Sequence, residues 1–208
     1  MNKQIVKYRN EILANDTSGH SIDHINRVVK LSQKILETEP TADIEIVQIA
    51  ANVHDVIDEK LVADVELARQ DLRDFLTKQK LNENQVDQIF FTIDNMSYSK
   101  NLENHIELPI EGQIVQDADR LDAIGAIGIG RAFYYGGNKG SKIYDPKIKP
   151  RTEMDHDSYR EQGTVINHFY EKLLLLKDQM NTTEGKRLAK IRHDFMLEFL
   201  DEFKKETR

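Results

Sequence analysis

Histidines and aspartates that could do chemistry fall in three separated places of the chain. In the first, His20, His24 and Arg27 follow one another at spacings of four and three, which puts them on one face of a helix. That face borders the apolar stripe made by Ile25, Val28 and Ser32. In the second, the apolar run through Ala50, Ala51 and Val53 leads straight into His54-Asp55, with Asp58 a turn further on and Lys60 beyond it. A carboxylate near the buried end of a helix costs several kcal/mol unless it is paired or metal-bound. The third holds Asp117, Asp119 and Asp122 among Ala118, Leu121, Ile124 and Ile127. Asp119 and Asp122 share a helical face at i, i+3, and Asp117 points elsewhere. One such aspartate suits a solvated helix; three amid this apolar segment do not.

Together these residues offer neutral nitrogen and anionic oxygen, a donor set suited to Mn, Fe, Co, Ni, Zn or Mg. The chain has no cysteine, so thiolate sites and disulfides are excluded. One divalent cation is therefore expected, manganese first among the candidates. It would lower the pKa of a bound water and neutralise phosphoryl oxygens. On the residues alone, Asp119 and Asp122 are tied as the third-segment ligand.

The elements that must position these groups read as helices. Apolar residues recur at three and four over 20–37, and Pro40 closes that helix. A second run through Ile46, Ile49 and Val53 begins at Asp43, a natural cap. Further helices are predicted over about 64–78 and 83–96, then, after Pro109, along the Ala/Gly-rich segment 114–135. Residues 136–156 read as a loop, and two helices at about 157–180 and 184–205 finish the chain, the second capped by Thr183. Alternating strand patterns are nearly absent. An all-α fold of about eight helices follows, one domain over 1–208 with the candidate ligands inside 18–135.

Composition narrows the partners. Charged residues make up 31% and the net charge is −7, which disfavours nucleic-acid duplexes, whose phosphates need a basic face. A small phosphorylated ligand is compatible. No apolar run approaches the roughly 20 residues that span a bilayer, and the start of the chain has no apolar leader core, so a cytoplasmic address is expected. The Gly136–Lys142 stretch does not have the GxxxxGK[ST] spacing of a phosphate loop. Phe195, Leu197, Phe199, Leu200 and Phe203 carry more apolar surface than one helix face needs, which allows a homodimer.

The pattern His24-x-x-Arg27-Val28, His54-Asp55 and Asp119 within Ala-Asp-Arg-Leu resembles the H…HD…D signature of HD-domain metal-dependent phosphohydrolases. The segments Gln116–Phe133 and Asn167–Leu173 are similar to a bacterial subgroup of these enzymes that includes nucleotide pyrophosphohydrolases. The resemblance implies a helical bundle with His24, His54, Asp55 and Asp119 as metal ligands. It implies Asp58 as the group assisting the attacking water, although several relatives carry Glu there and Asp has the shorter reach. His20 and Asp122 become inner-pocket groups, and Arg27 and Lys60 become phosphate contacts. The implied reaction splits a nucleoside triphosphate, a deoxynucleotide first, into monophosphate and pyrophosphate. Two alternatives stand beside it: a nucleoside monophosphate phosphatase or phosphodiesterase, and a helical module that binds nucleotide without turnover.

Overall fold

The computed structural model describes residues 3–14, 21–59, 61–98, 101, 106–152 and 163–207. Among them every regular element is helical: α1 (Lys3–Leu13), α2 (Ile22–Leu36), α3 (Ile44–Val53), α4 (Val65–Lys78), α5 (Glu83–Asn95), α6 (Ile110–Asp122), α7 (Gly125–Asn138), α8 (Val165–His168) and α9 (Thr183–Glu206). A π-helical turn (Phe169–Leu173) and a 3-10 turn (Leu176–Gln179) stand between α8 and α9.

Several of the starts are capped by a side chain. Asp43 caps α3 by accepting from the amides of Glu45 (2.9 Å) and Ile46 (3.3 Å), and its own amide donates to Glu111 at the start of α6 (2.9 Å). The beginnings of α3 and α6 are thereby tied together. Asn82 and Gln85 form a reciprocal capping box on α5. Ser21 caps α2 and accepts from the amide of His24, so a candidate ligand sits in the first turn.

Helices α2, α3 and α6 pack on one another and form the centre of the bundle. The facing side chains are small or branched: Val28, Ala50, Ala51, Val53, Ala118 and Leu121 are all fully buried. Alanines at these positions let the backbones approach, which shortens the distance between groups projecting from different helices. Helix α9 packs on α6 and α7. Its Phe199 stacks on Phe169 with ring centroids 5.7 Å apart.

Several expectations are corrected. The segment 114–135 is two helices, because Gly125 takes a left-handed conformation (φ 75°) and breaks the helical path after α6. A side chain there would also meet Arg192, 2.9 Å from the Cβ position. Helix α7 continues to Asn138, so the first residues of the predicted 136–156 loop are helical; 153–156 lie outside the described residues. The predicted 157–180 helix is broken: 157–162 lie outside the described residues, and the remainder passes from α to π to 3-10 turns. A π turn widens the winding without removing the apolar recurrence, so spacing does not reveal it. Here it carries Glu171, buried and gripped by Arg151 through the guanidinium (2.7 Å) and the backbone amide (2.9 Å). The cap of α9 is Thr182, which accepts from Gly185 (3.0 Å), one residue before the predicted Thr183. Arg120 is buried and donates to the Gln179 carbonyl. Of the apolar residues behind the homodimer expectation, Leu200 is buried and Phe199 and Phe203 pack on the core, leaving Phe195 and Leu197 exposed.

Asp117 has a structural task. Fully buried, it accepts from the Asn181 amide (2.9 Å), the Asn181 side chain (2.9 Å), the Thr182 amide (2.8 Å) and the Thr182 hydroxyl (2.7 Å). It thus fastens the start of α9 to α6. Asp117→Ala strands these donors and is expected to lower unfolding stability by about 3 kcal/mol, measurable as a reduced urea midpoint at unchanged slope.

Candidate metal centre

Three helices bring their ends to one point. His24 lies in the first turn of α2, His54 and Asp55 terminate α3, and Asp119 and Asp122 lie in the last turn of α6. The ligand atoms of His24, His54 and Asp55 all fall within 4.8 Å of one another. The Nε2 atoms of the two rings are 3.3 Å apart. Asp55 Oδ2 stands 3.4 Å from the Nε2 of His24 and 3.5 Å from that of His54. Asp119 Oδ1 approaches the same two nitrogens at 3.3 and 4.0 Å.

The tautomers follow from the other ring nitrogens. His54 Nδ1 is 3.0 Å from the Ala51 carbonyl, which can only accept, so Nδ1 holds the proton. His24 Nδ1 is 2.7 Å from Asp122 Oδ2 and donates to it likewise. In the neutral rings each Nε2 therefore presents a lone pair. Two lone pairs and two carboxylates facing one another repel unless a proton or cation stands among them. Donor atoms about 2.1 Å from a first-row cation lie about 3 Å apart across an octahedral edge. The observed separations fit that spacing with a small contraction, so the residues present suit a divalent cation.

Asp119 and Asp122 have different places in the site. They straddle the His24 ring, Asp119 on the Nε2 side and Asp122 on the Nδ1 side. Their surroundings differ as well: the Asp119 side chain is 37% exposed and that of Asp122 1%. Asp122 is held by Arg27 through Nε (2.6 Å) and a terminal nitrogen (3.0 Å), and by Arg131 (2.6 Å). Burial works to raise the Asp122 pKa, but the hydrogen bonds from His24 and Arg27 hold it far below the usual carboxylate range. Burial likewise works to lower the pKa of His24. Hydrogen bonds to Asp119, Asp122 and Asp55 outweigh it, and the metal-free ring titrates well above 6.5.

Asp58 is half-buried in the turn that follows α3, its amide donating to the Asp55 carbonyl (3.0 Å). His20 and Lys60 lie outside the described residues. Arg27 is engaged by Asp122 yet stays 33% exposed. Arg131 was not singled out by its sequence. It lies nine residues after Asp122 across the break between α6 and α7, and no helical spacing links residues on either side of such a break.

Residues 21–124 match the HD domain family, half of the chain. Fold, site and match agree, and the chain belongs to the HD-domain superfamily of metal-dependent phosphohydrolases. YpgQ of Bacillus subtilis is 40% identical over 205 residues, which cover 98% of this chain and 92% of that protein. Its crystal structure in complex with ADP superposes with a TM-score of 0.76 at 36% identity, covering 98% and 97% of the two chains. A Lactobacillus plantarum protein superposes with a TM-score of 0.88 at 46% identity, over 99% of this chain and 98% of that one. An HD-superfamily hydrolase of Bacillus thuringiensis gives 0.77 and 40%, over 98% and 95%.

Two predictions follow from this geometry. Asp122→Asn removes the charge that orients His24 and is expected to weaken divalent-metal affinity about 10- to 100-fold, read by competition with a chelating dye. Protons and cation compete for His24 Nε2, so apparent metal affinity is expected to fall as pH is lowered through neutrality, approaching about tenfold per unit. The sign is set by the raised pKa. In metal-free protein the protonated ring contributes stability that is present below pH 6.5 and lost as pH rises through the folded-state value. Melting of metal-free and metal-loaded protein across pH 5.5–8.5 should thus show opposite slopes.

Proposed function

We propose that this centre hydrolyses nucleoside triphosphates, deoxynucleotides foremost, to monophosphate and pyrophosphate. The observation carrying the proposal is the convergence of His24 Nε2, His54 Nε2 and the Asp55 and Asp119 carboxylates, lone pairs inward, at the ends of α2, α3 and α6. Asp119 is the fourth ligand in this reading, and manganese is the first candidate metal, with Mg, Ni, Fe, Co and Zn compatible with the same donors. A divalent cation held there supplies Lewis acidity, making water a stronger nucleophile near neutral pH and offsetting phosphoryl charge.

The remaining steps belong to the chain's own residues. Asp58 takes a proton from the attacking water as general base. Arg27, anchored by Asp122 and a third exposed, supplies positive charge where negative charge grows on the phosphoryl oxygens. In this reading Lys60 is a further phosphate contact and His20 an inner-pocket group. The preference for a nucleotide draws support from YpgQ, a relative that has been crystallised with ADP. No described helix is long and apolar enough to cross a membrane. Nucleotide substrates would be met in the cytoplasm.

The test is product identification with manganese-loaded protein on a panel of ribo- and deoxynucleotides. The reading predicts pyrophosphate and monophosphate from triphosphates. Orthophosphate release without pyrophosphate would overturn it, and orthophosphate released from the monophosphates of the panel would favour a monophosphate phosphatase. Asp55→Ala is expected to lose metal and turnover together, by at least a hundredfold in kcat; retained nucleotide binding without any wild-type turnover would favour a silent binding module.

A further inference from the structure

The buried carboxylate of Asp122 serves two arginines from different helices, and one would suffice to neutralise it. Arg27 comes from α2, one turn after His24, and Arg131 comes from α7. Arg27 donates to Asp122 Oδ1 and Oδ2 at 2.6 and 3.0 Å, and Arg131 donates to Oδ2 at 2.6 Å. The same Arg131 nitrogen lies 3.0 Å from His24 Nδ1, an imidazole's width from the face that meets the metal ligands. We infer that Arg131 is a phosphate-binding residue, and that with Arg27 it forms a two-guanidinium seat for the outer phosphates of a polyphosphate chain. The inference rests on the phosphohydrolase reading above and deepens it, because it names what selects a triphosphate over a monophosphate.

Three observations carry it. Asp122 is sealed from solvent at 1% exposure, whereas the Arg27 and Arg131 side chains are 33% and 32% exposed. The carboxylate is thus a buried anchor, and the guanidinium groups are presented at the edge of the site. Two cations drawn onto one carboxylate also repel each other, and a polyanion lying across both offsets that repulsion. Arg192 of α9 adds a third positive charge to this neighbourhood; the charges of both Asp122 and Arg27 act on it, and its guanidinium donates to the Leu121 carbonyl. Asp23 near Arg27 is exposed and lies at the periphery. Finally, a guanidinium carries five N–H donors, of which Asp122 takes two from Arg27 and one from Arg131, and these contacts fix the orientation of both groups before any ligand arrives. Arg131 at His24 Nδ1 and the ligand cluster at Nε2 lie on two sides of one imidazole ring, and that ring is the separation a polyphosphate chain would have to bridge.

The alternative is that Arg131 only buttresses His24 through Asp122, and the experiment separates the two. Wild type, Arg131→Gln and Arg131→Lys, all manganese-loaded, are titrated calorimetrically with inorganic tripolyphosphate and with orthophosphate. Metal content and steady-state kinetics on a nucleoside triphosphate are measured in parallel. The inference predicts that Arg131→Gln weakens tripolyphosphate binding about 10- to 100-fold and raises KM more than it lowers kcat, with orthophosphate binding and metal content near wild type. Arg131→Lys, which keeps the charge and the fold, should fall between the two. Unchanged tripolyphosphate affinity in Arg131→Gln, a wild type that does not bind tripolyphosphate, or a loss confined to metal content would each overturn it. A wild type that binds tripolyphosphate through Arg131 yet splits no nucleotide would sink the proposed function and leave this inference standing.

Discussion

Mutual repulsion among lone pairs is the constraint on which the rest of the molecule depends. With both rings neutral, two imidazole nitrogens 3.3 Å apart, flanked by Asp55 and Asp119, cannot be held together by attraction among themselves. The bundle imposes their convergence. Buried packing of α2, α3 and α6 brings the three ligand-bearing ends together, and the bond from Asp43 to Glu111 ties α3 and α6 at their opposite ends, their starts. Hydrophobic burial thus supplies the free energy that keeps like groups close, and a cation or a proton relieves what remains.

Around that cluster the chain divides its carboxylates by environment. Asp117 organises the approach of α9 and faces no metal ligand in the described contacts. Asp122, five residues later, fixes the tautomer of His24 from the Nδ1 side and gathers Arg27 and Arg131. Asp119 lies between them in sequence and is the one whose side chain is partly exposed, as a group meeting a solvated ion should be. One helix therefore carries a strut, a proposed ligand and an anchor within two turns, and the difference among them lies in what each side chain faces.

Much of this was legible in the residues. The helical period located α2, α3, α4 and α5, the Asp43 cap was visible, and the i, i+3 placement separated Asp117 from its neighbours. The His54-Asp55 pair at a helix end drew attention because a buried carboxylate needs a partner. What spacing could not provide was direction across elements. Asp119 and Asp122 share a face, and only the position of the His24 ring between them assigns their sides. Arg131 was hidden because a left-handed glycine at 125 interrupts the periodicity that would have linked it to Asp122. The broken helix before α9 escaped for a similar reason: apolar recurrence persists through a π turn, while the Arg151–Glu171 pair that accompanies it joins residues twenty apart.

Anomalous diffraction from crystals of the manganese-loaded protein tests the central claim most directly. The account predicts one strong peak about 2.1 to 2.3 Å from His24 Nε2, His54 Nε2 and carboxylate oxygens of Asp55 and Asp119. A peak that bypasses either imidazole, or manganese bound only at surface carboxylates away from the ends of α2, α3 and α6, would contradict it.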